Sequence, residues 1–514
     1  MKVTVRALLE IDDRSTETKV QSFRLQSLLV LIRGHRLNAF SFVFDAQFHA
    51  DSPHTHLVNQ IVDHAPAVDQ ASVDRAPWLL RAVAVTVFLI PPNFVFAPLG
   101  ANGFVAMILA LFVFGLWITS AAWGLHDPVG FRNPARLALG ILWFVTAASY
   151  VVMSAGPAGL AGRMSADRWV LTLMAITGIA LTTAEFVRGP AAIRSLIRAM
   201  TWGATLCAMI AICQFAFGID PVKWISEALV GMTDNGGNTT FQTRAEFTRV
   251  AGTMFSPIEL GVVMSLMLPF AVWRGLFDRS RYRWLPWAQC VFIAAAAVCT
   301  VSRSMLLSLL VVCLFSIPFL PRTARLWAAV AVPVAVVAVF VTVPGMIATL
   351  KGTLTVGSAD PSITTRLNNY PRVEAMVSDR PWFGTGPGTY LPENALKILD
   401  NQYLKSSVEM GIAGAVAVAL FFGLTAFAGL LAARHFRDPE MKALAGAVFG
   451  AGSASLVASA AFDSFSFPTF TLISGFIAGL SGVVWLAARG ESSTSTEAFP
   501  ERRPASAPNR ELTA

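Results

Sequence analysis

The chain has 514 residues, 55% of them hydrophobic and only 14% charged, with a formal net charge of +8. Soluble proteins carry about 25% charged residues, so this balance excludes a cytosolic multidomain enzyme, a disulfide-stapled secreted scaffold and a disordered chain. It leaves an all-α, polytopic integral membrane protein.

Residues 1–76 form a polar segment holding five of the seven histidines, His35, His49, His54, His56 and His64. Its apolar stretch Phe23–Ile32 is too short to span a bilayer and is interrupted by Arg24. No small-residue cleavage site follows, so it does not read as a signal peptide. His54, His56 and Asp51 lack a neighbour to complete a metal shell. The segment is predicted to be a cytoplasmic N-terminal extension.

Residues 77–488 are predicted to form the transmembrane domain. About twelve apolar runs follow one another: 78–97, 102–123, 136–154, 168–187, 195–218, 257–276, 284–302, 304–320, 325–346, 404–432, 442–461 and 466–488. Several approach or reach the roughly 20 residues that a spanning helix needs. Cys207, Cys213, Cys290, Cys299 and Cys313 all lie within these runs and read as small buried hydrophobes. The tail 489–514, rich in Ser, Thr, Pro and charge, is predicted to be disordered.

Arginine and lysine in the short loops set the orientation. With a cytoplasmic N-terminus, the inner loops hold fourteen basic residues and the outer ones six. Both termini are therefore expected inside, and two long connections, roughly 219–256 and 347–403, outside. The net charge follows from this loop bias, and no nucleic-acid motif accompanies it. Carriers bind near the bilayer midplane between repeated halves. Here no internal repeat is visible, and Glu185 and Asp463 sit near predicted helix ends. A lipid-linked glycan flippase or other polytopic transporter is thus the alternative reading rather than the leading one.

The large second outer loop carries the densest signal. Arg372–Asp379 is predicted helical, and Gly384-Thr385-Gly386-Pro387-Gly388 breaks regular structure. Such a turn can aim N–H groups at an anion, or it is a plain surface turn. No strand precedes it, which excludes a dinucleotide fingerprint. Arg303, between two apolar runs with almost no loop, reads either as a cation meeting something anionic or as a snorkelling side chain. Tyr370, Trp382, Tyr390 and Tyr403 suit sugar stacking or interface anchoring alike.

These residues resemble the O-antigen ligase and O-antigen polymerase superfamily of bacterial membrane glycosyltransferases. Three blocks carry the likeness across roughly residues 249–425. The first runs from Arg249 to Gly261 and includes Phe255-Ser-Pro257; the second is Ser302-Arg303-Ser304. The third is Arg366 followed by Arg380-Pro-Trp-Phe-Gly-Thr-Gly-Pro-Gly388, with Asp400-Asn-Gln-Tyr-Leu404 and Glu409-Met-Gly-Ile-Ala-Gly414 after it.

The resemblance implies transfer of a glycan from a polyprenyl-diphosphate-linked oligosaccharide to a glycan acceptor, at the outer face of the cytoplasmic membrane. It implies no cofactor and no metal. The expected partners are these two substrates, the lipid bilayer and other polysaccharide-assembly membrane proteins. Arg303 and Arg366 match the family's phosphate-facing arginines and, with Asp400, are the catalytic candidates. Arg249, Arg372, Gly384, Gly386 and Tyr390 are the substrate-binding candidates, although Arg372, like Arg380, reads equally as loop surface charge. The ligase branch carries a histidine where this chain has Asp400, which favours a polymerase-like member. Asp400 reads equally as a general base or a helix N-cap; Glu259 and Glu409 are the alternative acids.

Overall fold

The computed structural model describes residues 75–126, 128, 132–156, 159–236, 241–244, 247–278, 282–342, 361–392 and 397–497. Most of the predicted N-terminal extension and of the predicted tail lies outside these residues.

The described residues are mostly helical. In chain order the helices are α1 (Trp78–Leu89), α2 (Val105–Ala122), α3 (Pro134–Ser154), α4 (Leu160–Phe186), α5 (Gly189–Phe217) and the short α6 (Val222–Ala228). They continue with α7 (Pro257–Phe277), α8 (Trp284–Cys299), α9 (Arg303–Ser316), α10 (Arg322–Thr342) and α11 (Pro361–Asp379). The last three are α12 (Gln402–His435), α13 (Pro439–Ala458) and α14 (Pro468–Glu497), which runs past the predicted end of the last apolar run. Two small antiparallel pairs join Phe94–Val95 to Thr233–Asp234 and Phe241–Arg244 to Phe247–Val250.

Each predicted apolar run overlaps one of these helices, although the first, 78–97, is helical only to Leu89 and then holds the strand Phe94–Val95. Eight of them, α2, α3, α4, α5, α7, α12, α13 and α14, are long and apolar enough to cross a membrane. The expectation of about twelve also counted α10 and three shorter apolar helices, α1, α8 and α9. Their starts follow local chemistry. Asn133, Ser256 and Asp438 accept backbone N–H groups of the first turn, each before a proline at the first helical position. A proline there loses no helical hydrogen bond, and the cap satisfies an otherwise orphaned donor.

Helices α7, α13 and α14 are the most buried and form the centre of the bundle. Among helices in lipid, close approach depends on small residues rather than on hydrophobic expulsion. Gly446 and Gly450 on α13 face Phe319 and Ser316, where an added Cβ would lie 2.6 and 3.0 Å away. At the periphery, Leu137, Phe144 and Val151 on α3 and Val330, Val334 and Val337 on α10 stay exposed. That is the surface expected of helices facing acyl chains.

Candidate active site at the glycine-loop end

The first two sequence blocks meet at one point. The strand Phe247–Val250 places Arg249, buried at 6% exposure, so that its Nε donates to the Thr300 carbonyl at 2.8 Å. Thr300 closes α8, and the break before α9 turns through Val301, whose φ of +45° is unusual for a β-branched residue. Arg303 is the first residue of α9, immediately after that break. Gly261 packs on the same turn, since a Cβ there would sit 2.7 Å from Thr300 Oγ1 and from Met305 Cβ. Arg249, Gly261 and the Ser302-Arg303-Ser304 turn are thus held together. The hairpin that delivers Arg249 had no place in the sequence reading. Its signal was weak: an aromatic residue and a threonine, both strand-favouring, recur in Phe241-Gln-Thr-Arg244 and Phe247-Thr-Arg-Val250, without a period-2 alternation.

The glycine block meets a broken helix. Within α12, Gly411 has φ +70°, which interrupts the helical ladder. The loop fills the gap: Thr385 N and Gly386 N donate to the carbonyls of Val408 and Glu409 at 3.2 and 2.8 Å. In return, Ile412 N donates to the Pro381 carbonyl at 2.8 Å, and Ser149 Oγ donates to the Phe383 carbonyl at 2.7 Å. Gly384, Gly386 and Gly388 all have positive φ. A Cβ at Gly386 would be 2.7 Å from Met153, and one at Gly384 would collide with the Glu409 carbonyl. The Gly386 amide, read in the sequence as a donor for an anion, therefore braces the break in α12.

Beside this loop lies a cavity of about 620 Å³, bounded by α11, the loop and the junction of α3 with α4. Arg372, Arg380 and Lys397 line it, together with Asp379, Thr385, Thr389 and Tyr390. The Arg372 guanidinium lies over the Tyr390 ring, 5.5 Å from its centroid, a cation–π geometry that fixes both groups. Tyr390 is anchored further: its hydroxyl donates to the Lys397 carbonyl at 2.5 Å, and its N–H to Glu409 Oε1 at 3.3 Å. The result is a pre-set concentration of cations against a flat aromatic face, suited to a phosphorylated sugar. Arg372 and Tyr390 come together here, whereas Gly384, Gly386, Arg249 and Arg303 do not line the cavity. Arg366 falls on α11, and its side chain lies outside the described residues. Lys397 was missed in the sequence because its loop position carries no local pattern.

The carboxylates separate by environment. Glu259 is fully buried and accepts from Phe255 N, Thr469 N and Phe470 N at 2.9, 2.7 and 3.0 Å. It ties the start of α7 to the start of α14. Glu409 is buried against Tyr390. Asp463 pairs with Lys405 Nζ at 2.8 Å. The cap of α12 is Asn401, whose side chain accepts from Tyr403 N and Leu404 N at 2.9 and 3.2 Å. Asp400, the residue before it, is exposed. Tyr403 donates its hydroxyl to the Leu456 carbonyl at 2.6 Å and packs with the core, whereas Trp382 and Tyr370 are exposed.

Compared with known families, residues 288–419 match the model of the O-antigen ligase family. The match takes in Arg303, Arg366, the glycine block, the cavity's three cations, Asp400 and Glu409; the block from Arg249 to Gly261 precedes it. The resemblance read in the sequence is borne out over this region. No curated protein matches the chain. The chain is a multi-pass membrane protein with a region of the surface-polysaccharide ligase and polymerase type.

Proposed function

We propose that this O-antigen ligase-type chain is a membrane glycosyltransferase that moves a glycan from polyprenyl diphosphate onto a sugar hydroxyl, at the outer face of the cytoplasmic membrane. One observation carries the reading: Arg372, Arg380 and Lys397, all from the family-matched region, line one cavity with Tyr390, and the Arg372 guanidinium lies over the Tyr390 ring.

In the reaction, the acceptor oxygen bonds to the anomeric carbon as the bond from that carbon to phosphate breaks. The electron pair leaves on the diphosphate, and the hydroxyl proton passes to a base. Negative charge grows on the leaving group, so fixed guanidinium groups stabilise the transition state more than the ground state. Arg303 and Arg366 take this role, and Arg249 holds the turn that presents Arg303. Of the carboxylates in the matching blocks, Glu259 and Glu409 are buried inside the bundle, whereas Asp400 reaches the surface. With Asn401 as the cap, the exposed Asp400 serves as the base. An aspartate here favours chain extension over transfer to a lipid core. No step calls for a metal.

The test is reconstitution of the full chain with a polyprenyl-diphosphate-linked repeat unit, reading product length. Wild type lengthens the glycan. Arg303→Ala and Arg366→Ala each lower the rate by about 10²–10³-fold, and Asp400→Asn by about 10²–10⁴-fold, with unchanged insertion and yield. Unchanged glycan length with wild-type protein, together with movement of the lipid across the bilayer, moves the assignment to a flippase.

A further inference from the structure

At the opposite end of the bundle from the glycine loop, a groove of about 950 Å³ opens between α3, α12 and α14. Its length is apolar, with Leu137, Gly140 and Phe144 of α3 facing Phe427 of α12. Leu137 and Phe144 are 62% and 69% exposed, so this wall is on the bundle's perimeter. Its mouth is basic: Arg132, Arg136 and Arg489 line it beside Trp485, and none of the described lining residues is acidic. The Arg489 guanidinium lies 4.8 Å from the Trp485 ring centroid, one helical turn away on α14, which fixes a cation at the membrane-interface position that tryptophan favours. Arg136 Nη1 contacts the buried Glu185 at 3.1 Å. That carboxylate offsets one cation, and the described lining itself carries three arginines and no acid.

We propose that this groove is a binding site for an anionic phospholipid, its phosphate held by Arg132 and Arg489 and one acyl chain laid along α3. From Arg136 to Phe144 the trough extends about 12 Å at the helical rise per residue, enough for the upper half of an acyl chain. Gly140 makes the trough: a Cβ there meets nothing within 4 Å, so the missing side chain is open groove rather than tight packing. A partner helix would be held by close small-residue contacts and has no use for a cationic mouth. A phosphate-headed lipid uses both halves, since basic pockets between membrane helices attract anionic headgroups.

The experiment is native mass spectrometry of the full-length chain in detergent, offered equimolar phosphatidylglycerol, phosphatidylcholine and polyprenyl phosphate. Wild type retains the phosphatidylglycerol about 25-fold over the zwitterionic lipid, the product of two cations at about fivefold each. The double variant Arg132→Gln, Arg489→Gln keeps lipid but loses the preference. Gly140→Leu, which fills the trough from an exposed helix position, lowers retention of both lipids. Equal retention of the two lipids by wild type overturns the proposal, as do variants that behave like wild type. So does retention of polyprenyl phosphate in preference to phosphatidylglycerol, which assigns the groove to the reaction's own lipid.

Discussion

A carboxylate without solvent access at the head of a membrane helix needs donors, and Glu259 has three, all backbone N–H groups. Two belong to the first turn of α14, where orphaned donors and the helix dipole both favour an anion. Glutamine keeps only one acceptor oxygen and presents an NH2 group to an N–H, so one buried donor loses its partner, at about 1–3 kcal/mol. Glu259→Gln is expected to lower the thermal midpoint in detergent, and Glu259→Ala to lower it further. An unchanged midpoint with abolished transfer would instead make Glu259 a catalytic acid. The sequence showed an acidic residue after a proline, but not this role, because Thr469 lies 210 residues away. The cap was closer to legible. Asp400 and Asn401 are both good capping types, and only the backbone geometry selects Asn401.

Gly411 and Gly384 are where the two elements of the site depend on each other. Both have positive φ, which costs a residue with a Cβ about 1–2 kcal/mol. An added Cβ at Gly411 would also strike the Trp382 carbonyl. Gly411→Ala is expected to push the loop off α12, disturb Thr385 and Tyr390 beside the cavity, and lower both the thermal midpoint and transfer. Gly423, on the same helix, meets nothing within 4 Å, so Gly423→Ala leaves transfer intact and raises stability by up to about 1 kcal/mol through helix propensity. Equal effects at the two positions would show that helix softness rather than the loop contact matters. Apolar runs and proline-led caps made the helices legible, because each is a local property. The break at Gly411 was not, since glycine is common in membrane helices and only the incoming Pro381–Gly386 segment gives it a purpose. Pro371 illustrates the converse: α11 begins at Pro361 and continues through it as one helix, where the sequence suggested a short helix capped at Thr364 or Thr365 and a helical stretch Arg372–Asp379.

For the molecule as a whole, the proposed chemistry requires that the glycine loop and the arginine-lined groove lie on opposite sides of the bilayer. The helices place the two sites at opposite ends, and the excess of basic residues in the loops on the groove side predicts that this side faces the cytoplasm. Single cysteines decide it. The five native ones lie in apolar helices, beyond the reach of a membrane-impermeant maleimide. Asp400→Cys is expected to be labelled in intact cells, and Arg132→Cys only after permeabilisation. The inverse pattern would put the cavity in the cytoplasm, where lipid-linked glycans already moved to the outer leaflet cannot reach it, and the transfer reading would fall with it. The expected pattern would join the two ends into one arrangement. Cations on the outer side then meet a departing diphosphate, and cations on the inner side meet the anionic leaflet that holds the bundle in register with the membrane.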